Sequence, residues 1–375
     1  MAAERLLGLA LSSEPNTRAV PELCKRVRFR KSTCRSCCEV CPENAISLDP
    51  GPTINGSCSD CGLCEIACPT ETFRNELRTD QQLLAEARSI LLQAAPRGRS
   101  PVLSIACHCA ELENGIRVPC LGRVSENILF GAALLGFEEV VLIKGRCAKC
   151  RWKAGEELLA CSMRKAKVLL EMGGFNLVSI RLEEKEGRRQ EALPRRELFA
   201  NFGRSLKKHM AVVVHHQERA IREALGNDSA REACAAPRHE HLCTLVREVR
   251  VDGGIAPHEK WSAWARVVIE ESCCSACGIC ARLCPTTAIS QERRVSYEEI
   301  GFLSSRCTNC GLCQEACPEG AIRFQEEISL ADALDNEATV LARVRMNECR
   351  ACGDTIRTGR NTLCPTCDKR HAALA

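Results

Sequence analysis

Two stretches of the chain repeat one cysteine spacing. CSACGICARLCPTTAI reads Cys274-x2-Cys277-x2-Cys280-x3-Cys284-Pro285, and CTNCGLCQEACPEGAI reads Cys307-x2-Cys310-x2-Cys313-x3-Cys317-Pro318. Three closely spaced thiolates on a loop can reach three corners of one iron–sulfur cubane. The next cysteine, just before proline, faces a neighbouring cubane instead. The spacing therefore assigns Cys274, Cys277, Cys280 and Cys317 to one [4Fe–4S] cluster, and Cys284, Cys307, Cys310 and Cys313 to another.

A related block lies near the start. Cys58-x2-Cys61-x2-Cys64-x3-Cys68-Pro69 is a full run, and Cys58, Cys61 and Cys64 would be completed by Cys41. The preceding run, STCRSCCEVCPENAI, holds Cys34, Cys37 and Cys41-Pro42 but has Lys31 where a cysteine would stand. A cluster on Cys34, Cys37 and Cys68 thus lacks a fourth ligand. Cys24, upstream in ELCKRVRFRKSTC, is favoured. Cys38 is the other candidate, but neighbours on a tight loop rarely reach two corners of one cubane, and a three-iron cluster is the remaining option. The same residues also spell Cys34-x3-Cys38-x2-Cys41, the pattern of radical S-adenosylmethionine enzymes. Cys273, Cys277 and Cys280 spell it again where a full run already explains them. A doubled cysteine produces that spelling by accident, and a new run begins at Cys58 where a barrel would have to follow. The reading is electron transfer rather than radical catalysis.

Between these blocks, Cys107 and Cys109 sit in SIACHCAE, Cys120 in VPCLGRVS, and Cys147 and Cys150 in LIKGRCAKCRWKAGEELL. Each follows an apolar run, at the C-terminal end of a predicted strand, where open α/β sheets place their sites. The tail reads Cys349-x2-Cys352-x11-Cys364-x2-Cys367. Paired C-x2-C knuckles suit a tetrahedral Zn²⁺ held by four thiolates, with a rubredoxin-like iron as the alternative.

The block at 268–328 resembles bacterial two-cluster ferredoxins, and the run beginning at Cys24 resembles ferredoxin-type proteins that place a cysteine early. Residues 100–200, with CLGR and the downstream MRKAKVLLEMGGF, resemble the hydrogenase iron–sulfur (delta) subunit. That resemblance implies a [2Fe–2S] cluster on four of Cys107, Cys109, Cys120, Cys147 and Cys150. It implies partners too: a hydrogenase or dehydrogenase on one side and a heterodisulfide-reductase-like flavoprotein on the other. Cys120 with Gly122-Arg123 matches well, and Arg164 falls where the family has basic residues. Cys107-x-Cys109 and Cys147-x2-Cys150 are tighter than the family's pairs. His108 could replace a cysteine, as in Rieske-type centres, but a lone histidine between two cysteines is more often a bystander.

The elements that must hold these sites follow from pattern. The chain has 375 residues and 30 Cys, but only 9 Phe, 3 Trp and 1 Tyr. Aromatics usually carry much of a core, so small modules held by metal–thiolate bonds are expected. The start, MAAERLLGLALSSEP, has no basic n-region, and no stretch approaches the apolar length of a membrane span. A reduced cytoplasmic protein is expected rather than a disulfide scaffold. The formal charge of +4 counts every cysteine as neutral, so it gives no reason to expect a nucleic-acid partner. The fold class is multidomain α+β and α/β. An N-terminal dicluster module spans 1–80, a helical linker opened by Asp80 spans 81–99, and an α/β domain spans 100–204. A polar helical connector spans 205–267, a second dicluster module 268–328, a linker 329–345, and a zinc-ribbon-like tail 346–375. The connector carries His209, His215, His216, His239, His241 and His258 at no tight metal spacing, with Cys234 and Cys243 as spare thiols.

There is no glycine-rich dinucleotide fingerprint, Walker loop or HEXXH helix. The expected function is a non-catalytic electron-transfer subunit of an oxidoreductase complex of anaerobic metabolism, with four [4Fe–4S] clusters, one [2Fe–2S] cluster and one Zn. A redox-sensing or complex-assembly protein is the alternative.

Overall fold

The structure is a computed structural model and describes residues 15–75, 78–94, 100–185, 236–249, 255–257, 264–325, 327–329, 334–356 and 363–372. His209, His215, His216, His258, Cys234 and most of the 205–267 connector lie outside the described residues. Two compact units emerge. One comprises residues 1–21, 35–171 and 175–235, and the other comprises 22–34, 172–174 and 236–375.

The first unit is built on a four-stranded parallel sheet. β1 (Thr17–Ala19), β2 (Ile46–Ser47), β3 (Thr53–Ile54) and β4 (Phe73–Asn75) belong to the cysteine-rich N-terminal part; β5 (Val102–Cys107), β6 (Ile116–Val118), β7 (Glu139–Lys144) and β8 (Ser179–Glu184) form the sheet. Its order is β6-β5-β7-β8, and every neighbour pair is parallel. Parallel strands are covered on both faces and so read as continuous apolar runs. VLSIAC and VVLI are such runs, with Leu103, Val140 and Leu142 fully buried.

The helices in chain order are α1 (Lys25–Arg28), α2 (Ser36–Val40), α3 (Leu63–Ala67), α4 (Asp80–Ala94), α5 (Glu126–Leu134) and α6 (Gly155–Met172). The last three are the helices expected from the sequence, and α4 packs on α5. Asp80 opens α4 and accepts a 2.5 Å hydrogen bond from buried Ser125, which tethers the start of α5. Gly131 of α5 lets the Leu84 side chain of α4 lie against its backbone.

The second unit holds α7 (Pro237–Arg247), α8 (Ile279–Leu283), α9 (Leu312–Ala316) and α10 (Pro365–Ala372). β9 (Ile255–Pro257) pairs with β14 (Glu327–Ser329), and β10 (Val267–Ile269) pairs with β13 (Ile322–Phe324). β11 (Ile289–Arg293), β12 (Tyr297–Phe302) and β15 (Thr339–Arg345) make an antiparallel sheet. Ile269, Ile289, Ile300, Phe302, Ile322 and Ala342 form its core. Along α7 the structure departs from the expected solvated connector. His239, Leu242, Cys243, Leu245 and Val246 are buried, and His239 Nε2–H donates to the Ser305 carbonyl at 3.1 Å, just ahead of Cys307.

The four Cys-Pro turns of the ferredoxin-like runs share one backbone form. The third residue after Cys41, Cys68, Cys284 and Cys317 (Asn44, Glu71, Thr287 and Gly320) has a left-handed φ of 48°, 55°, 54° and 59°. Each donates its N–H back to that cysteine's carbonyl. The glycine of each full run, Gly62, Gly278 and Gly311, is also left-handed and opens the short helix carrying the third cysteine. In the incomplete run Arg35 takes that place at φ −136°. An L-residue there would resist the left-handed turn, so this run enters its helix differently.

Gly115 has φ +134°, and a Cβ there would lie 2.2 Å from the Ser104 carbonyl oxygen. Gly115→Ala is expected to destabilise the first unit by about 2 kcal/mol or more, read as an earlier first transition in thermal or denaturant melts.

Candidate metal centres

In the first unit, Cys41, Cys58, Cys61 and Cys64 line one pocket, the crossed set that spacing predicts. Burial pushes the Cys58 thiol up to about 11, and it drives Cys64 well above its ordinary value, with Glu65 and the other three sulfurs adding to the rise. Backbone N–H groups aim at these sulfurs: Ala45 N–H at Cys41 (3.3 Å) and Asp60 N–H at Cys58 (3.4 Å). Asp60 also receives the Asn16 and Thr17 amides at 3.0 and 2.9 Å, pinning the loop.

Of the other predicted set in this block, Cys37 and Cys68 share one apolar cluster with Phe73, and Cys38 packs against it. Thr72 N–H points at the Cys68 sulfur at 3.3 Å. Cys24 and Cys34 belong to segment 22–34, which is counted with the second unit. Cys38 Sγ lies 3.9 Å from the Ile46 carbonyl.

The second unit repeats the crossed arrangement. Cys274, Cys277, Cys280 and Cys317 line one pocket without Cys273, which is exposed. Burial raises Cys280 to about 11 and Cys310 to about 11. It also raises Cys313, where Cys310 and Cys284 add repulsion, and Cys307, where Cys310, Cys313 and Cys284 do the same.

The middle site is a cavity of about 240 Å³. Cys107, His108, Cys109, Cys120, Cys147 and Cys150 face it, from the C-terminal ends of β5, β6 and β7 and the turns after them. This is the strand end expected to carry a site. Gly145 N–H points at Cys107 Sγ (3.3 Å), Gly122 N–H at Cys120 Sγ (3.4 Å) and Trp152 N–H at Cys150 Sγ (3.5 Å). Among the described residues those three sulfurs receive amides as the sulfurs of the other pockets do. Cys109 instead meets His108 Nε2 at 3.0 Å. His108 is turned by its other ring nitrogen, which donates to the Pro119 carbonyl at 2.7 Å, and its ring lies 4.3 Å from that of Trp152. Burial pushes Cys120 up to about 12 against the help of the Gly122 amide, with Cys61, Cys150 and Cys107 repelling it further. Cys109 is also raised, to about 11, by burial and then by Cys150 and Cys107.

The tail gathers Cys349, Cys352, Cys364 and Cys367 with all four sulfurs within 4.8 Å of one another. β16 (Asn347–Glu348) and β17 (Thr355–Ile356) carry the first knuckle, and the first turn of α10 carries Cys367 of the second. Cys364 N–H donates to Cys349 Sγ at 3.2 Å and holds that thiol down at about 6.

One common chemistry fits the cysteine pockets ahead of the tail. Buried thiols that raise one another's pKa become thiolates only when a cation joins them. The donor set is thus suited to iron or zinc, and poorly suited to standing metal-free.

The comparisons with known proteins agree with this geometry. Residues 105–208 match the family model of the methyl-viologen-reducing hydrogenase delta subunit, which spans the sheet and its cavity. Residues 266–318 match that of a 4Fe-4S dicluster domain. A search of curated proteins returns no match. Sequence reasoning missed the amide–sulfur pattern that separates Cys109 from Cys107, Cys120 and Cys150, because cysteine spacing does not report where turn amides point, whether two residues away as at Cys120 and Cys150 or across the fold as at Cys107.

Two outcomes are expected. Cys109→Ser is expected to retain the visible absorption of the middle site after anaerobic purification, whereas Cys120→Ser loses it. Gly155→Ala, whose Cβ would lie 2.4 Å from Cys120 Sγ, is also expected to lose it while the remaining iron stays bound. For the tail, the sign follows from a depressed thiol. Above about pH 6 the Cys349 sulfur would bind added Zn²⁺ without giving up a proton. Below that pH it must release one, so apparent affinity falls about tenfold more per pH unit, measurable by chelator competition.

Proposed function

We propose that the chain is an iron–sulfur electron-relay subunit. In it, Cys41, Cys58, Cys61 and Cys64, then Cys274, Cys277, Cys280 and Cys317, then Cys284, Cys307, Cys310 and Cys313 each hold a [4Fe–4S] cluster. A fourth rests on Cys34, Cys37 and Cys68 with Cys24 or Cys38. Cys107, Cys120, Cys147 and Cys150 hold a [2Fe–2S] cluster, with Cys109 outside it, and the tail holds Zn²⁺. Bound clusters would supply one-electron chemistry over a wide range of potentials.

The protein's own residues do the rest. Apolar neighbours exclude water, backbone amides point at the sulfurs, and the Cys-Pro turns fix each fourth ligand. The observation that carries the reading is the abutment of two separate thiol sets inside one unit. Cys61 and Leu63 share one apolar cluster with Trp152, and Cys120 and Cys150 pack against it. A relay needs its centres in such series, whereas a lone sensor needs one. The match to a hydrogenase delta subunit supports an electron-transfer role beside a hydrogenase or dehydrogenase. A heterodisulfide-reductase-like flavoprotein as the onward acceptor follows from the sequence resemblance. Among the described residues no helix is long and apolar enough to cross a membrane.

Anaerobically purified protein is expected to carry about 18 Fe, matching sulfide and about one Zn. Reduction should give both cubane and two-iron EPR signals. A value near 16 Fe without a two-iron signal would leave the middle domain as a docking module. About 8 Fe or fewer after reconstitution would sink the relay and favour a redox sensor.

A further inference from the structure

Arg123 is a cation with almost no access to water. Its side chain is 4% exposed. One terminal nitrogen donates to the Arg78 carbonyl, and its nearest carboxylate, Glu65, is 3.9 Å away, beyond hydrogen-bond reach. Its Nη1 is buried and has no hydrogen-bond partner among the described residues. A buried charge is costly unless it is paired. The protein atoms around Arg123 leave that pairing incomplete.

Its position says what completes it. Gly62, between Cys61 and Cys64, has no Cβ, and the Arg123 side chain fills that space: Nε would lie 2.8 Å from a Cβ there. The guanidinium thus rests on the turn between Cys61 and Cys64, and Glu65 follows Cys64 on the short helix α3. Arg123 itself comes from the Cys120-Leu121-Gly122-Arg123 turn of the cavity site. Gly122 and Gly155 pack so closely that a Cβ on Gly122 would meet Gly155 Cα at 2.4 Å and Leu63 Cδ2 at 2.7 Å. Neither site can move on the other without disturbing this knot. Glu43 ties the two again, accepting from Trp152 Nε1 at 3.4 Å and pairing with Arg151 at 3.1 Å.

We propose that Arg123 is the potential-setting residue of the Cys41/Cys58/Cys61/Cys64 centre and locks that centre against Cys120. The inference rests on the reading that these cysteines hold a cubane, which with four thiolates carries roughly −2 when oxidised. Reduction adds negative charge. A buried cation beside the site favours the reduced form and raises the potential. Glu65 acts in the opposite sense. The two residues therefore make opposite, separately testable contributions. Arg123 is a positioning and tuning residue rather than a catalytic one.

The test is an EPR-monitored redox titration of the full chain, with the centre's signal assigned by its change in Cys58→Ser. Arg123→Gln is expected to lower that midpoint by about 59 mV or more, a tenfold change in the one-electron equilibrium. Arg123→Lys is expected to keep most of it, and Glu65→Gln to raise it. The centres of the 266–318 segment should not move in any of these variants. If Arg123→Gln loses iron, the charge-keeping Lys variant and Glu65→Gln still decide the matter. An unmoved or lowered midpoint in Glu65→Gln overturns the proposal, as does a parent-like midpoint in an iron-replete Arg123→Gln. Absence of the Cys58-dependent signal from the parent protein would instead overturn the cluster assignment itself, and this inference with it.

Discussion

Everything in this chain turns on the cost of gathering buried thiols. At Cys58, Cys64, Cys120, Cys280 and Cys313 burial raises the sulfur pKa, and neighbouring sulfurs raise it again, to about 12 at Cys120. Such a set is unfavourable as thiolates and wasteful as thiols. Metal ions convert the repulsion into bonds. The aromatic-poor composition then has a physical reading. Short strands such as β2 and β3, of two residues each, bury too little to stand alone, and metal–thiolate bonds can supply what the apolar core does not. The sheet of β5 to β8 is the exception. With Phe130, Phe137, Leu129 and Leu142 fully buried, it has a conventional core and offers its strand ends as a rigid platform.

Long side chains from elsewhere in the sequence stabilise the cysteine loops. In the first unit Arg123 reaches over Gly62 toward Glu65. In the second, Lys25 donates to the Cys310 carbonyl at 2.9 Å and pairs with Glu315 at 3.0 Å. Glu65 and Glu315 both lie on the short helix that carries the third cysteine of a run. Each pair joins a cation from a distant segment to an acid beside a candidate ligand. Charge is thus placed where an added electron would be felt. The same contacts fasten segments that local turn geometry alone would leave loosely held.

Much of this was legible in the sequence. The C-x2-C-x2-C-x3-C-P spacing leads to the crossed sets, and the structure gathers Cys41, Cys58, Cys61 and Cys64 in one pocket and Cys274, Cys277, Cys280 and Cys317 in another. The helices from Asp80, Glu126 and Gly155, and the buried strands VLSIAC and EVVLIK, were readable from apolar period and stop signals. Other features were not. The burial of His239 and Cys243 depends on which face of α7 meets the Ser305 turn, and the polar composition around them points to solvent. The distinction between Cys109 and the other cavity cysteines rests on turn amides that no spacing rule reports. In the sequence Arg123 reads as an ordinary motif residue, and only the fold places its side chain in the space above Gly62.

The most direct test of the relay is a count of electrons in the intact chain. Anaerobic protein with its full iron complement would be titrated with a low-potential reductant, followed by absorption and EPR, and then reoxidised. The account predicts reversible uptake on the order of five electrons per chain, one for each proposed centre, returned to an external acceptor with the clusters intact. Uptake of about one electron, or loss of iron on each cycle, would contradict it.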